Sequence, residues 1–307
     1  MKTIPKYTKV LNLGSTFTES ALVGPVILQE KVDGSQFRFG VNEDGALVIG
    51  SKNRDMIPEA PDGMFQQIAD YLLSIKDRIL EFPPDTYLYG EYLMKPKHNV
   101  LSYGRIPTNH LVLFDGLQEG KWLLRGNLEQ IAEFLDFDVI PEFYEGEVCV
   151  DRIKEFLKED SFLGKEKIEG VVIKNYSQII LLGGSAFPLF TKYVRDEYRE
   201  RHDKDWKEKS GVGGLELFLK GFQSESRWLK AVQHLRDEGR LTQELRDIGT
   251  LVKEVERDIL EEESVNIKAF LFNHFKKSVI RYAVRGLPEW YKERLLGNLT
   301  EKTDGTT

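Results

Sequence analysis

The run Glu30-Lys31-Val32-Asp33-Gly34-Ser35 lies between two apolar, alternating segments. It sets a lysine at the end of a strand, an acid two residues on, and a glycine that lets the backbone bend. A lysine amine has a reference pKa of about 10.4, so at neutral pH it is charged and not nucleophilic. Nearby cations or a bound metal favour its neutral form. Neutral Lys31 could then attack the α-phosphorus of a nucleotide, expelling pyrophosphate and forming a phosphoramide. Lys-x-Asp-Gly alone is short and equally fits a surface lysine before a turn.

Downstream segments supply what such a reaction needs. Ser51-Lys52-Asn53-Arg54 could aim the Arg54 guanidinium at a ribose or phosphate. Tyr89-Gly90-Glu91 puts a carboxylate on a strand, suited to a ribose hydroxyl. Phe114-Asp115-Gly116 ends an apolar strand with a ring able to stack on a base. Glu169-Gly170 offers a second carboxylate, able to hold a divalent cation. Lys192 could meet the charge developing at the α-phosphate. Each has a bland alternative: acids beside glycines end many strands, Phe114 fits a core, and Lys192 fits a solvated face. Their occurrence together and in this order is what carries weight.

The elements that must position these residues follow from periodicity. Residues 20–195 read as mixed α and β. Strands are expected at Val26–Leu28, Phe37–Val41, Ala46–Ile49, Thr86–Leu93, His110–Asp115 and Ile168–Lys174. Phe65, Ile68, Leu72, Ile75 and Ile79 recur at steps of three and four, predicting one helix that Pro83-Pro84 closes off. Asn127 with Gln130 suggests a capping box for a helix over 128–136. From Asp196 to Leu296 the pattern is helical. Ser210 to Gly214 is a candidate linker, and Val252, Val255 and Ile259 mark one helix face, with Ile267, Phe270, Leu271 and Phe275 marking another. Domains are therefore expected at 1–200 and 201–300, with a disordered tail at 301–307.

Bulk properties exclude several classes. Charged residues make up 30% and hydrophobic ones 41% of the 307 residues, a soluble globular balance. No apolar run suits a bilayer and the N-terminus lacks a signal-peptide stretch, so no membrane association and a cytoplasmic location are the defaults. Cys149 is the sole cysteine, expected as a small buried hydrophobe, and no zinc site is expected from five unpaired histidines. A net charge of −7 argues mildly against a nucleic-acid partner, although a local basic groove would suffice. Lys277, Arg281 and Arg285, spaced by four, would share such a basic helix face; Arg199, Arg201, Lys204 and Lys207 are interleaved with acids and fit a solvated face better.

Taken in order, these segments resemble the covalent nucleotidyltransferase superfamily of polynucleotide ligases and capping enzymes. Lys31 to Gly34 looks like motif I, Arg54 motif Ia, Tyr89 to Glu91 motif III, Phe114-Asp115 motif IIIa, Glu169-Gly170 with Lys174 motif IV, and Lys192 motif V. The absence of a β-rich barrel pattern after Val194, together with the loop Lys97 to Arg105, is similar to ATP-dependent RNA ligases of the RNA ligase 2 type. The resemblance implies an α+β fold: ATP-grasp-like antiparallel sheets with flanking helices, plus a small all-helical C-terminal domain. It implies ATP and Mg²⁺ (or Mn²⁺) as cofactors, RNA ends as partner, and no obligate protein partner. Lys31 would carry AMP, Glu30 would help position adenine, and Gln36 would lie near the phosphate. Arg54 and Glu91 would hold the ribose, Phe114 would stack on adenine, Lys174 would join the nucleotide site, and Asp33 and Glu169 would engage metal. Lys192 would contact the α-phosphate; Val194 stands where that type carries a second lysine. Lys97 and Arg105 are candidates for nucleic-acid contact. The alternatives are a DNA ligase or a GTP-dependent capping enzyme and, from another class, a non-catalytic nucleotide- or RNA-binding module.

Overall fold

The computed structural model describes residues 4–14, 18–182, 185–195, 212–242 and 244–303. In chain order its strands are β1 (Leu11–Asn12), β2 (Val26–Lys31), β3 (Ser35–Val41), β4 (Leu47–Ser51), β5 (Asp55–Met56), β6 (Thr86–Tyr92), β7 (Leu111–Gln118), β8 (Lys121–Trp122), β9 (Asp138–Val139), β10 (Glu142–Gly146), β11 (Gly170–Leu182) and β12 (Ser185–Val194). The helices are α1 (Gln66–Ser74), α2 (Lys76–Ile79), α3 (Arg125–Phe134), α4 (Val150–Phe156), α5 (Val212–Lys220), α6 (Glu225–Asp237), α7 (Ile248–Ala283) and α8 (Leu287–Thr303).

Two largely antiparallel sheets carry the first 195 residues. One has the order β1-β12-β11-β2-β10; the other runs β5-β4-β3-β6-β7-β8, with β9 on β7. The alternation in β3 sends Phe37, Phe39 and Val41 into a core shared with Ile49, Leu88, Leu113, α1 and α3. Arg38, between them, is 1% exposed and donates to Ser51 O and Asp55 Oδ1, each at 2.8 Å. The expected helix over 65–79 is broken in two at Ile75, yet its five marker residues are all buried. The helix expected at 128 starts instead at Arg125, with Leu124 at its N-cap and no side-chain cap, so Asn127 and Gln130 form no capping box.

The chain crosses between the sheets at the residues of greatest chemical interest. Lys31 ends β2 in one sheet and Ser35 begins β3 in the other. Gly34 lies between them, where a Cβ would stand 2.6 Å from Tyr92 O and 2.8 Å from Glu91 Cγ. Only glycine lets this turn press against β6.

The C-terminal part is helical, as expected. Residues 196–211, including Arg199, Arg201, Lys204 and Lys207, lie outside the described residues. Gly213 and Gly214 belong to α5 rather than to a linker, and α5 is held down by Phe218 stacked on Phe270 at 3.8 Å between centroids. α7 packs on α6 with an acidic stripe, not with Val252, which is 61% exposed. Lys230 of α6 meets Asp258 at 2.6 Å, His234 meets Glu254 at 2.7 Å, and the fully buried Arg227 pairs with Asp258 and, at 3.3 Å, with Glu263. Steps of three and four along α6, and of four and five along α7, align these charges in antiparallel order. α8 runs to Thr303, into the expected tail, and 304–307 are not described. Cys149 is exposed at the N-cap of α4 rather than buried. No described helix is long and apolar enough to cross a membrane.

Candidate active site

Strand register builds the site. β11 lies between β2 and β12, with Gly170 opposite Lys31 on one side and Val194 on the other. A Cβ on Gly170 would stand 2.6 Å from Tyr193 O, so the glycine permits this close three-strand approach. Glu169, one residue before, is thereby delivered to Lys31: Nζ donates to Oε2 at 2.5 Å. Glu91 arrives from the other sheet, on β6 opposite Gln36 of β3.

Electrostatics explains the resting state. Burial works against the charge on Lys31, but Glu169, Asp33 and Glu91 together hold its pKa above the ordinary lysine value. The acids respond in kind. Burial is the main cause that lifts Glu91 to about 8, with Glu169 and Asp33 adding to it and Lys31 opposing. Burial likewise raises Glu169 against the pull of Lys31. A crowded set of carboxylates around one ammonium gains by admitting a divalent cation. Among the described residues no three His, Cys, Asp or Glu are grouped to hold a metal alone. Mg²⁺ commonly needs only one or two carboxylates and completes its shell with water and phosphate oxygens, so Glu169 and Glu91 fit that role.

Other sequence-derived candidates divide. Asp33 accepts from the backbone N–H of Val100 and Leu101, each at 2.8 Å, and from Asn99 Nδ2 at 3.2 Å, while its own N–H donates to Tyr103 Oη at 2.7 Å. It thus pins the 97–105 loop over the Lys31 turn, with His98 held by Ser35 at 3.0 Å. Phe114 is half-buried, with Tyr7 edge-on at 5.0 Å. Lys174 is 2% exposed and donates to Phe114 O at 2.7 Å while pairing with Asp115 Oδ2 at 2.7 Å; its ammonium braces the strand beneath Phe114. Gln36 Nε2 is buried with no protein partner among the described residues, a donor left available to a ligand. Arg54 is half-exposed and paired with Asp62.

Lys192 shares the electrostatic environment of Lys31. Its nearest charge is Glu262 of α7, 3.9 Å away, which favours the ammonium; burial and the neighbouring Lys230, Lys31 and Lys52 outweigh it and lower the pKa. Lys52, Lys230 and Glu262 were not legible as site residues. Lys52 lies in the same short segment as Arg54, but the other two sit on helices about 200 residues downstream of Lys31. The candidates for nucleic-acid contact are dispersed: Lys97 is exposed, Arg105 pairs with Asp138 at 2.6 Å, and Lys277 and Arg281 are exposed on α7. Arg285 falls in the turn after α7 and so does not continue that face.

Glu30 gives the site a pH signature. It is 1% exposed, Oε2 accepts from Phe162 N at 3.1 Å, and burial lifts its pKa from 4.5 to about 7. Between those values the unfolded chain has released a proton that the folded chain keeps, so stability falls as pH rises through the window. Glu91 adds to the slope in the same direction. Glu30→Gln is therefore expected to melt above the wild type at pH 8, with the gap closing by pH 5. A gap of equal size at both pH values in thermal unfolding would contradict this assignment.

No curated protein matches the chain. Among solved structures, Naegleria gruberi RNA ligase with pyrophosphate is 16% identical with a TM-score of 0.49, covering 66% of this chain and 59% of that one. A variant of that ligase with ATP and manganese is 17% identical with a TM-score of 0.46, at the same coverages. Another, with AMP and manganese, is 15% identical with a TM-score of 0.49, again covering 66% and 59%. The chain thus spans about three fifths of that enzyme's length. The family model for RNA ligase matches residues 24–194, a stretch that begins before Lys31, ends after Lys192 and exceeds half of the 307 residues: the chain belongs to the RNA ligase family.

Proposed function

We propose that this protein is an ATP-dependent RNA ligase that joins 5′-phosphate and 3′-hydroxyl ends through AMP carried on Lys31. The observation that supports it most is the Lys31–Glu169 contact at 2.5 Å, placed where the two sheets meet and where Glu91 lies close. Lys31 rests as an ammonium. Its proton must leave before the amine can act, and Glu169 is within reach of that proton. The neutral Nζ then forms a bond to the α-phosphorus as the bond to the pyrophosphate oxygen breaks in line. Lys192 would meet charge developing at the phosphorus. Mg²⁺ held by Glu169 and Glu91 would supply charge neutralisation to the phosphates.

In the second step a 5′-phosphate oxygen of the RNA takes the AMP, breaking the nitrogen–phosphorus bond and returning Lys31 to its amine. In the third, the 3′-hydroxyl attacks that 5′-phosphorus and AMP leaves. Holding both ends in line governs these later steps. The half-buried Phe114 ring and the Gln36 donor support a nucleotide at this site. The helical part beyond residue 200 would hold the nucleic acid.

Incubation with α-labelled ATP or α-labelled GTP and Mg²⁺, followed by a denaturing gel, tests the reading. Label retained from ATP and not from GTP is the expected result. Label from GTP alone would favour capping chemistry, and label from neither would contradict the proposal.

A further inference from the structure

One carboxylate sits where four elements bring lysines together. Glu262, on the middle of α7, places Oε1 3.0 Å from Lys230 Nζ of α6 and 3.5 Å from Lys52 Nζ at the end of β4. Its Oε2 is 3.9 Å from Lys192 Nζ of β12. Lys9, from the N-terminal segment, donates to the backbone carbonyl of Glu261, one residue away. The Glu262 side chain is 17% exposed and that of Lys192 21%. Burial opposes the charge on Glu262, but Lys192, Lys230 and Lys52 hold its pKa well below the ordinary carboxylate value.

Three ammonium groups exceed what one carboxylate can neutralise. Asp258 takes a share of Lys230 at 2.6 Å, but its other oxygen is committed to Arg227. Lys192 also acts on Glu169, but that carboxylate is engaged by Lys31 at 2.5 Å, and among the described residues Lys52 meets Glu262 at 3.5 Å. A positive cluster around a single pair of carboxylate oxygens has the charge and donor set of a phosphate seat, in which more oxygens could be bound than Glu262 offers. The cluster adjoins Lys31: β11 sets Gly170 opposite Lys31 of β2 and Val172, two residues on, opposite Lys192 of β12. Tetrahedral anions attached to the α-phosphate would extend into it.

We propose that Lys52, Lys192 and Lys230 form a diphosphate subsite, which takes the terminal phosphates of the nucleotide or free pyrophosphate, and that Glu262 fills it in this conformation as a displaceable carboxylate. This rests on the reading of Lys31 and Lys192 given above. The helical part thereby contributes Lys230 to nucleotide binding, and Glu262 makes anion entry and helix packing compete for the same lysines.

The test is pyrophosphate binding to the full chain, by calorimetry without nucleotide, so that no chemistry at Lys31 is required. Glu262→Gln is expected to bind pyrophosphate about tenfold or more tightly than the wild type, because the competing charge is gone. Lys230→Gln, at a residue that is 38% exposed in its side chain and hence tolerant, is expected to bind about tenfold more weakly. Inorganic phosphate should show a much smaller response than pyrophosphate in both variants. If Glu262→Gln binds no tighter, or Lys230→Gln is unchanged while both remain folded by circular dichroism, the lysines only fasten the helices and the proposal falls. If the pyrophosphate responses hold but no label from ATP is retained on the wild-type protein, the subsite stands and the adenylation reading fails.

Discussion

Lys31→Ala is expected to lose all transfer of AMP from ATP to the protein, yet to seal an RNA that already carries a 5′-adenylate at a rate within about tenfold of wild type. The nucleophile is needed to form the nitrogen–phosphorus bond and to release AMP to the RNA end. It has no covalent part in the attack of the 3′-hydroxyl. No neighbouring lysine can stand in: Lys192 is directed at Glu262, and Lys174 is spent on Asp115. Removing Lys31 also strips a partly buried carboxylate of its counter-charge, which costs up to several kcal/mol if Glu169 stays ionised. Glu169 is already shifted toward its neutral form, so protonation relieves most of that cost. Thermal unfolding should show a loss that shrinks as pH is lowered. Sealing lost in parallel with AMP transfer would show that Lys31 does more than carry AMP.

Glu169→Gln is expected to slow AMP transfer by about two to three orders of magnitude, the scale at which removal of a preorganised charge is felt. The substitution preserves shape and can still hydrogen-bond to Lys31. It removes the negative charge that orients the amine, that is in reach of its proton, and that suits a divalent cation. Unlike Lys31→Ala, it should also depress sealing of the pre-adenylated RNA, because a cation site serves more than one step. Raising Mg²⁺ or substituting Mn²⁺ should recover part of the loss. A variant whose AMP transfer stays within about threefold of wild type at limiting Mg²⁺ would remove Glu169 from the chemistry and leave it a structural partner of Lys31.

The alternation in Phe37–Val41 and the apolar strand around Glu91 identify β3 and β6 because one face of each is buried and the other is not. Lys31 and Glu169 were legible since each sits at a strand end near a glycine that the packing requires, Gly34 three residues after Lys31 and Gly170 directly after Glu169. The β1 pairing to Lys192 was not, because Leu11–Asn12 is too short to show a period. Asp33 reads as a candidate ligand by type; only the fold reveals that its Oδ2 also takes the loop N–H groups of Val100 and Leu101. The α6–α7 interface escaped for a physical reason too. Its buried stripe consists of Arg227, Glu254, Asp258 and Glu263, which pair across helices, whereas hydrophobic periodicity registers only apolar faces. Glu262 meets Lys192 from about 70 residues away and Lys52 from about 210, and no local pattern encodes either contact.

The most direct measurement is the site of the adduct. After incubation of the full chain with ATP and Mg²⁺, intact-mass analysis followed by peptide mapping should find a single AMP, attached to Lys31 and stable to base but released by acid as a phosphoramide. AMP on another lysine, or a folded protein that binds ATP and takes up no AMP, would contradict the account.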